Sequence, residues 1–227
     1  MYQRYFKRFL DVALSLCALI VLSPVLLAVA ALVRTKLGSP VIFCQERPGL
    51  NERIFKMYKF RSMTDRRDEN GEPLPDEERL TPFGRRLRAT SLDELPELWN
   101  ILKGDMSIVG PRPQLVRDMV FMTPEQRRRH TVRPGLTGLA QVSGRNACLW
   151  EDRLSRDLEY IDRVSLAEDA RIVFRTVKCL LYTEDVSTMG MATSEDFGDY
   201  LLRIGEVTDE EYREKQDEAR RELAMSR

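Results

Sequence analysis

The chain has 227 residues, with 36 lysines and arginines against 36 aspartates and glutamates, which is enough for one domain with a real core and an appendage. The balanced charge argues against a nucleic-acid partner, and a single histidine, His130, rules out a His-rich zinc site and disfavours a Ser-His-Asp triad. Cys17, Cys44, Cys148 and Cys179 are scattered with no C-x-x-C pattern, which fits a reducing compartment; a metal, if used, would take oxygen ligands, and Mg²⁺ is the natural choice.

Met1 to Leu10 is aromatic and basic (Tyr2, Arg4, Tyr5, Phe6, Lys7, Arg8, Phe9) and suits a membrane interface. Val12 to Val33 then runs without a charge, long enough for a bilayer span of about 20 apolar residues. Two readings fit equally: a spanning helix, and a helix that enters the bilayer, bends and returns on the same side. A signal peptide ending near Ala28-Val29-Ala30 ranks below both, because it would normally stop sooner and Asp11 interrupts its apolar boundary. Ser23-Pro24 sits in mid-run and predicts a kink, since proline removes a hydrogen bond and clashes with the preceding turn, although ordinary spanning helices also contain prolines. Arg4, Lys7 and Arg8 before the run, with Arg34 and Lys36 after it, favour keeping both ends cytoplasmic.

Gly38-Ser39-Pro40 closes this segment, and Val41 to Cys44 reads as a short buried strand. Gln45 to Gly49 is a turn. Ile54 to Met63 alternates apolar and basic residues, so a strand there puts Lys59 and Arg61 on one face and Tyr58 and Phe60 on the other; a solvated basic face is the simpler account of that pattern. Thr64 to Glu78 is polar and contains Gly71, Pro73 and Pro75, which predicts a mobile loop, either a lid or plain surface. Thr81-Pro82 starts a helix that carries Arg85, Arg86 and Arg88 forward.

Thr90 to Pro113, T-S-L-D-E-L-P-E-L-W-N-I-L-K-G-D-M-S-I-V-G-P-R-P, holds the densest signal. Leu92, Leu95, Leu98, Trp99, Ile101 and Leu102 recur at helical spacing, and Pro96 is tolerated in a first turn. Asp93 and Glu94 therefore fall at a helix N-terminus, where free N–H groups attract anions. Ser91 and Glu94 also make an S-x-x-E capping box, and taken alone the pair is better explained by capping than by catalysis. Gly110-Pro111-Arg112-Pro113 is a stiff turn presenting one arginine.

Beyond it, Gln114 to Met122 is expected as a helix, Glu125 to His130 as a basic helical segment, Arg133 to Gly138 as a loop, and Ala140 to Asn146 as a strand and turn. Trp150 to Tyr182 reads as helix, broken at Val164-Ser165, with amphipathic halves whose default is packing on the core. From Thr208 a charge-rich helix reads as a solvated or partner-binding extension.

A Ser-Pro-broken apolar helix, then K-F-R-S-M, then the Thr90–Pro113 stretch, then R-P-G-L-T-G-L-A-Q-V-S-G-R-N, resembles the bacterial sugar transferases that load a sugar phosphate onto polyprenyl phosphate, and more narrowly the small monotopic phosphoglycosyl transferases. The match covers roughly residues 1 to 185. The resemblance implies an α+β fold, mostly helical with a small β-sheet, in three parts: a re-entrant membrane helix broken at Ser23-Pro24 (1–36), a catalytic domain with interfacial amphipathic helices (37–195) and a charged extension (196–227). It implies residence on the cytoplasmic face of the inner membrane, in contact with phospholipid.

It also implies a reaction: a UDP-sugar and polyprenyl phosphate give polyprenyl-diphosphate-sugar and UMP, with Mg²⁺ spreading the diphosphate charge and Asp93 as both nucleophile and metal-site carboxylate. Glu94 is the second catalytic carboxylate, with three open roles: proton acceptor, Mg²⁺ ligand or helix cap. Lys59, Arg88 and Arg112 are the phosphate contacts, with Pro111 and Pro113 fixing Arg112, and Arg145 faces the nucleotide. The charged tail suits a homodimer contact. The alternative from another class is an inactive membrane-anchored scaffold of a glycan-assembly complex, against which the intact Asp93, Glu94, Lys59 and Arg112 argue.

Overall fold

The apolar N-terminal run forms two helices rather than one. In a computed structural model, which describes residues 1–144, 149–181 and 195–226, α1 (Lys7–Val21) and α2 (Ser23–Leu37) meet at Leu22 with a bend of 63°. Pro24 has no N–H to offer the Ile20 carbonyl four residues back. The Ser23 hydroxyl takes that place, donating to the Ile20 carbonyl at 2.8 Å. The kink expected at Ser23-Pro24 is therefore present, and its freed carbonyl is satisfied. No single described helix is long and apolar enough to cross a membrane, and the bent pair together meets that length and composition.

The polarity of α1 is inverted relative to a surface helix of a soluble protein. Lys7, Asp11 and Ser15 are buried, whereas Phe9, Leu14, Ile20 and Val21 are exposed. Asp11, an awkward residue in an apolar run, accepts hydrogen bonds from the Ser107 hydroxyl (3.0 Å) and the Ile108 N–H (2.9 Å). Lys7 pairs with Asp169, which also accepts from the Tyr2 and Tyr160 hydroxyls. Arg8 donates to the carbonyls of Ile101 and Leu102. Two of the flanking cations used to argue for a cytoplasmic N-terminus thus serve internal contacts.

The remaining elements are short. β1 (Ile42–Pro48) and β2 (Ile54–Phe60) form an antiparallel ribbon with Phe43 opposite Lys59, Gln45 opposite Met57 and Arg47 opposite Phe55. α2 lies on one end of this ribbon through Val29, Val33 and Leu37, which pack with Phe60 and Leu87. β2 ends at Phe60, so Arg61 does not share a strand face with Lys59; it turns away to donate to the Ser39 and Met63 carbonyls. The expected loop from Thr64 is folded on itself: the Asp68 carboxylate accepts the N–H groups of Asn70 and Glu72, and the Leu74 N–H reaches the Arg66 carbonyl. α3 (Asp76–Arg79) and α4 (Pro82–Ala89) follow, the latter capped by Thr81.

The helix expected from Ser91 begins later. Leu92–Glu94 is a single 3-10 turn, and α5 (Glu97–Lys103) starts after Pro96. Ser91 adopts left-handed backbone (φ 55°) and its side chain makes no cap, which corrects the capping-box reading. α5 packs Leu98 and Ile101 against Met57, Met106 and, from α1, Ala18 and Leu19.

β3 (Ser107–Val109) leads into Gly110-Pro111-Arg112-Pro113. α6 (Val116–Met119) is shorter than the helix expected from Gln114, whereas α7 (Pro124–Arg127) runs straight into a 3-10 turn (Arg128–Thr131), so the helical segment expected over Glu125–His130 is present, and β4 (Gly135–Thr137) pairs in parallel with β3 inside the expected loop. The strand expected from Ala140 is instead α8 (Leu139–Gly144): Leu139 and Val142, three apart, face one cluster with Val109, Val132, Tyr160 and Ile172. The rest of that segment and its Arg145 lie outside the described residues.

α9 (Trp150–Asp162) and α10 (Leu166–Leu181) break where expected, with the Ser165 hydroxyl accepting from the Glu168 N–H. After α11 (Phe197–Ile204), α12 (Asp209–Met225) is charged, but it is not wholly solvated: Ala219 and Leu223 dock on Val116, Met119 and Val120. The fold is mostly helical, as expected, and among the described residues two two-stranded sheets stand in place of one small sheet.

β3 and β4 meet backbone to backbone. The Gly110 N–H donates to the Thr137 carbonyl and the Gly135 N–H to the Pro111 carbonyl, both at 2.9 Å. A Cβ on Gly135 would lie 2.1 Å from the Gly110 nitrogen. Gly135→Ala must push the Gly110–Pro113 loop aside, so stability should fall by about 1–3 kcal/mol, read by denaturant unfolding in detergent.

Candidate active site

The site grows from the alternation of β2. Met57 and Lys59 share the ribbon face that carries Gln45 and Arg47 on β1. That face looks at α5 and the Leu92–Glu94 turn, and Lys59 crosses to them. Its Nζ donates to Glu94 Oε1 at 2.9 Å and lies 3.1 Å from Glu97 Oε1. The basic face of β2 is therefore paired rather than solvated. Arg112 reaches Glu94 Oε1 from the opposite side, so two cations share one carboxylate oxygen.

Asp93 is 8% exposed, one residue along the same turn. Burial, and then the neighbouring Glu94 charge, push its pKa up to about 6, against the pull of Lys59, Arg88 and Arg112. Glu94 behaves oppositely. Burial opposes its charge, but Arg112 and Lys59 overcome that and hold it well below the usual carboxylate range. Glu97, almost wholly buried at the head of α5, is raised by burial, with the Glu94 charge adding to it and Lys59 opposing it. One turn thus holds a permanently ionised carboxylate that gathers cations beside a carboxylate that titrates near neutrality.

The expected residues Asp93, Glu94, Lys59, Arg88 and Arg112 converge. Arg88 acts electrostatically on Asp93, and its Nε donates to the Ser62 hydroxyl at 2.9 Å. Pro111 and Pro113 bracket Arg112, and two guanidiniums, one buried and one half-buried, hold the same loop. Arg129 donates to the Arg112 carbonyl at 2.6 Å while paired with Asp157, both nearly inaccessible to solvent. Arg47 donates to the Pro113 carbonyl at 3.2 Å. Ser23 and Pro24 shape the helix bend and do not join this cluster.

Sequence reasoning missed Glu97, Arg47, Arg129 and Asp157. Only Glu97 carried a local signal, at a spacing of three from Glu94 in E-L-P-E.

On the other face of β2 lies an apolar cavity of about 380 Å³, lined by Leu19, Leu26, Ile42, Tyr58, Phe60, Pro96 and Trp99. Asp93 does not line it, but Pro96 belongs to the segment that carries Asp93, and Leu19 and Leu26 belong to the bent helix pair. Among the described residues no group of three His, Cys, Asp or Glu is placed to hold a metal. An oxygen-ligated ion such as Mg²⁺ is commonly held by only one or two protein carboxylates, and Asp93 is the carboxylate this cluster could offer it.

A family model for bacterial sugar transferases matches residues 2–183. The uncharacterized sugar transferase EpsL of Bacillus subtilis (strain 168) is 47% identical over 191 residues, covering 84% of this chain and 95% of that protein. A UDP-glucose:undecaprenyl-phosphate glucose-1-phosphate transferase of Caulobacter vibrioides is 40% identical, covering 79% of this chain and 71% of the relative. A UDP-N-acetylgalactosamine-undecaprenyl-phosphate N-acetylgalactosaminephosphotransferase of Aeromonas hydrophila is 37% identical over 78% of this chain, which spans 44% of that longer protein. The matched residues contain the bent helix pair, the Asp93-Glu94 turn and the Arg112 loop, and the chain belongs to the bacterial sugar transferase family.

Proposed function

We propose that this chain transfers a sugar 1-phosphate from a UDP-sugar to a polyprenyl phosphate such as undecaprenyl phosphate, through a covalent aspartyl intermediate. The reaction opens glycan assembly at the cytoplasmic face of the inner membrane. The observation that carries the reading is the Asp93-Glu94 turn: a carboxylate titrating near pH 6 beside cations assembled by its neighbour. The activities named for the Caulobacter and Aeromonas relatives support the substrate classes.

Asp93 Oδ attacks the phosphorus bearing the sugar. The bond from that phosphorus to the bridging oxygen breaks, and UMP departs as an anion that needs no proton. A lipid phosphate oxygen then attacks the same phosphorus and breaks its bond to Asp93, restoring the carboxylate and leaving a diphosphate between sugar and lipid. Lys59, Arg88 and Arg112 hold the phosphoryl oxygens through both displacements. Glu94 keeps Lys59 and Arg112 in place between turnovers. Mg²⁺, when bound, supplies charge neutralisation on the diphosphate, with Asp93 as its protein carboxylate. The apolar cavity beside Pro96 suits the first isoprene units of the acceptor, next to the helix pair whose outward face is apolar. That pair is read as a re-entrant, monotopic anchor, and the exposed Phe174, Val173 and Val177 of α10 are read as resting on the phospholipid surface.

Screening UDP-sugars for UMP release with polyprenyl phosphate tests the reaction, and a full panel without release would overturn it. Asp93→Asn should release no UMP and trap no phospho-sugar. The same variant should be more stable than the parent at pH 8. Because burial raises the folded-state pKa, the protonated carboxyl favours folding, and that benefit is lost as pH rises through about 6. The gain is on the order of 2–3 kcal/mol at most and should vanish below about pH 4, as read by melting temperature against pH. Glu94→Gln takes the counter-charge from Arg112 and leaves Lys59 to Glu97 alone, and should cut kcat by roughly 10²-fold with folding intact; a lower melting temperature at unchanged kcat would return it to a structural part. Cysteine labelling from either side of sealed vesicles should find residues 1–5 and 38–41 on the same side.

A further inference from the structure

Two arginines grip the Arg112 loop, Arg129 buried and Arg47 half-buried, and they differ in how they are neutralised. Arg129 holds the Arg112 carbonyl and is neutralised by Asp157 at 2.6 Å. Arg47 holds the Pro113 carbonyl through Nη1 and the Gln45 side-chain oxygen through Nη2 (2.6 Å), while its Nε is buried without a hydrogen-bond partner. No carboxylate among the described residues reaches ion-pair distance of Arg47. A guanidinium needed only to hold a carbonyl would follow Arg129, because a buried charge without a counter-ion is costly. Burial, and then the nearby Arg112 charge, lower the Arg47 pKa to about 10, against the pull of Asp118, Glu97 and Asp196, none of which pairs with it directly.

The position of Arg47 says which anion. It shares the ribbon face with Lys59, four residues beyond Phe43, the residue opposite Lys59, which is about 13 Å along the strand. The Phe60–Ile42 end of the ribbon packs on α2, whereas the Ile54–Pro48 end packs towards Val116 and Val120 and, through Phe55, on the cluster that also takes Ala18, Leu19 and Leu22. Arg47 is thus at the end remote from α2, where the water-soluble half of the donor would lie, and the Arg112–Pro113 loop links it to the Lys59–Glu94 cluster.

We propose that Arg47 is a further substrate-binding residue, contacting the phosphate of the departing nucleoside monophosphate. The inference rests on the proposed reaction, but its test includes an arm that needs no turnover. UMP affinity is measured by calorimetry on the full chain in detergent, for the parent, Arg47→Gln and Arg47→Lys, alongside melting temperature and the KM for each substrate. UMP affinity should fall tenfold or more in Arg47→Gln and less in Arg47→Lys. The KM for UDP-sugar should rise in step while the KM for polyprenyl phosphate stays put. UMP affinity unchanged in both variants, or a rise confined to the lipid KM, overturns the assignment and leaves Arg47 as a clamp on Pro113. Should Arg47→Gln fail to fold, Arg47→Lys decides alone, and parental UMP affinity in it refutes the proposal. Failure of the parent to release UMP from any UDP-sugar would strike the reaction instead.

Discussion

The site depends on one oxygen atom. Glu94 Oε1 receives both Lys59 from β2 and Arg112 from the loop after β3, two cations from separate sheets that would otherwise repel each other. Those partners hold its pKa well below the usual carboxylate range. In return it gathers a positive locus beside Asp93, where the proposed diphosphate substrate would meet donors already aimed. This is electrostatic preorganisation built from side chains rather than from a helix N-terminus. The left-handed Ser91 and the 3-10 turn after it make it possible by turning consecutive residues 93 and 94 towards different neighbours.

The same logic of buried polar contacts joins the proposed anchor to the catalytic layer. α1 presents its apolar residues outward and its charges inward, so its docking is carried by Asp11 on β3, Lys7 on Asp169 and Arg8 on the C-terminal carbonyls of α5. β3 is also the strand that delivers Gly110 to Pro113, and α5 follows the Asp93-Glu94 turn. Anchor and active site thus share their supporting elements.

Parts of this were legible in the sequence where the physics is local. Proline chemistry at Ser23-Pro24 foretold the bend, and period-two alternation put Lys59 on a face of its own. The roles proposed for Asp93 and Arg112 came from resemblance, since a capping box explained the acidic pair better on local pattern alone, and only the structure shows that the Ser91 side chain makes no cap. A six-residue apolar pattern at Leu139–Gly144 does not separate strand from helix, and tertiary packing made it a helix. The Arg129–Asp157 pair joins residues 28 apart, and Arg47 owes its meaning to what is missing around it; neither leaves a mark on local pattern. The tail read as solvated because one alanine and one leucine suffice to dock it.

The tether of Tyr2 and Lys7 to Asp169, with Asp11 one helical turn further on, pins the first helix along its own axis at two successive levels. Sliding by a single turn, about 5.4 Å, would strand Asp11 among apolar side chains and unhook Lys7. On the proposed reading of the bent pair as a membrane anchor, the height of Asp93 above the lipid is quantised by hydrogen bonds in the opening dozen residues, and bilayers of different thickness would have to adjust to the protein.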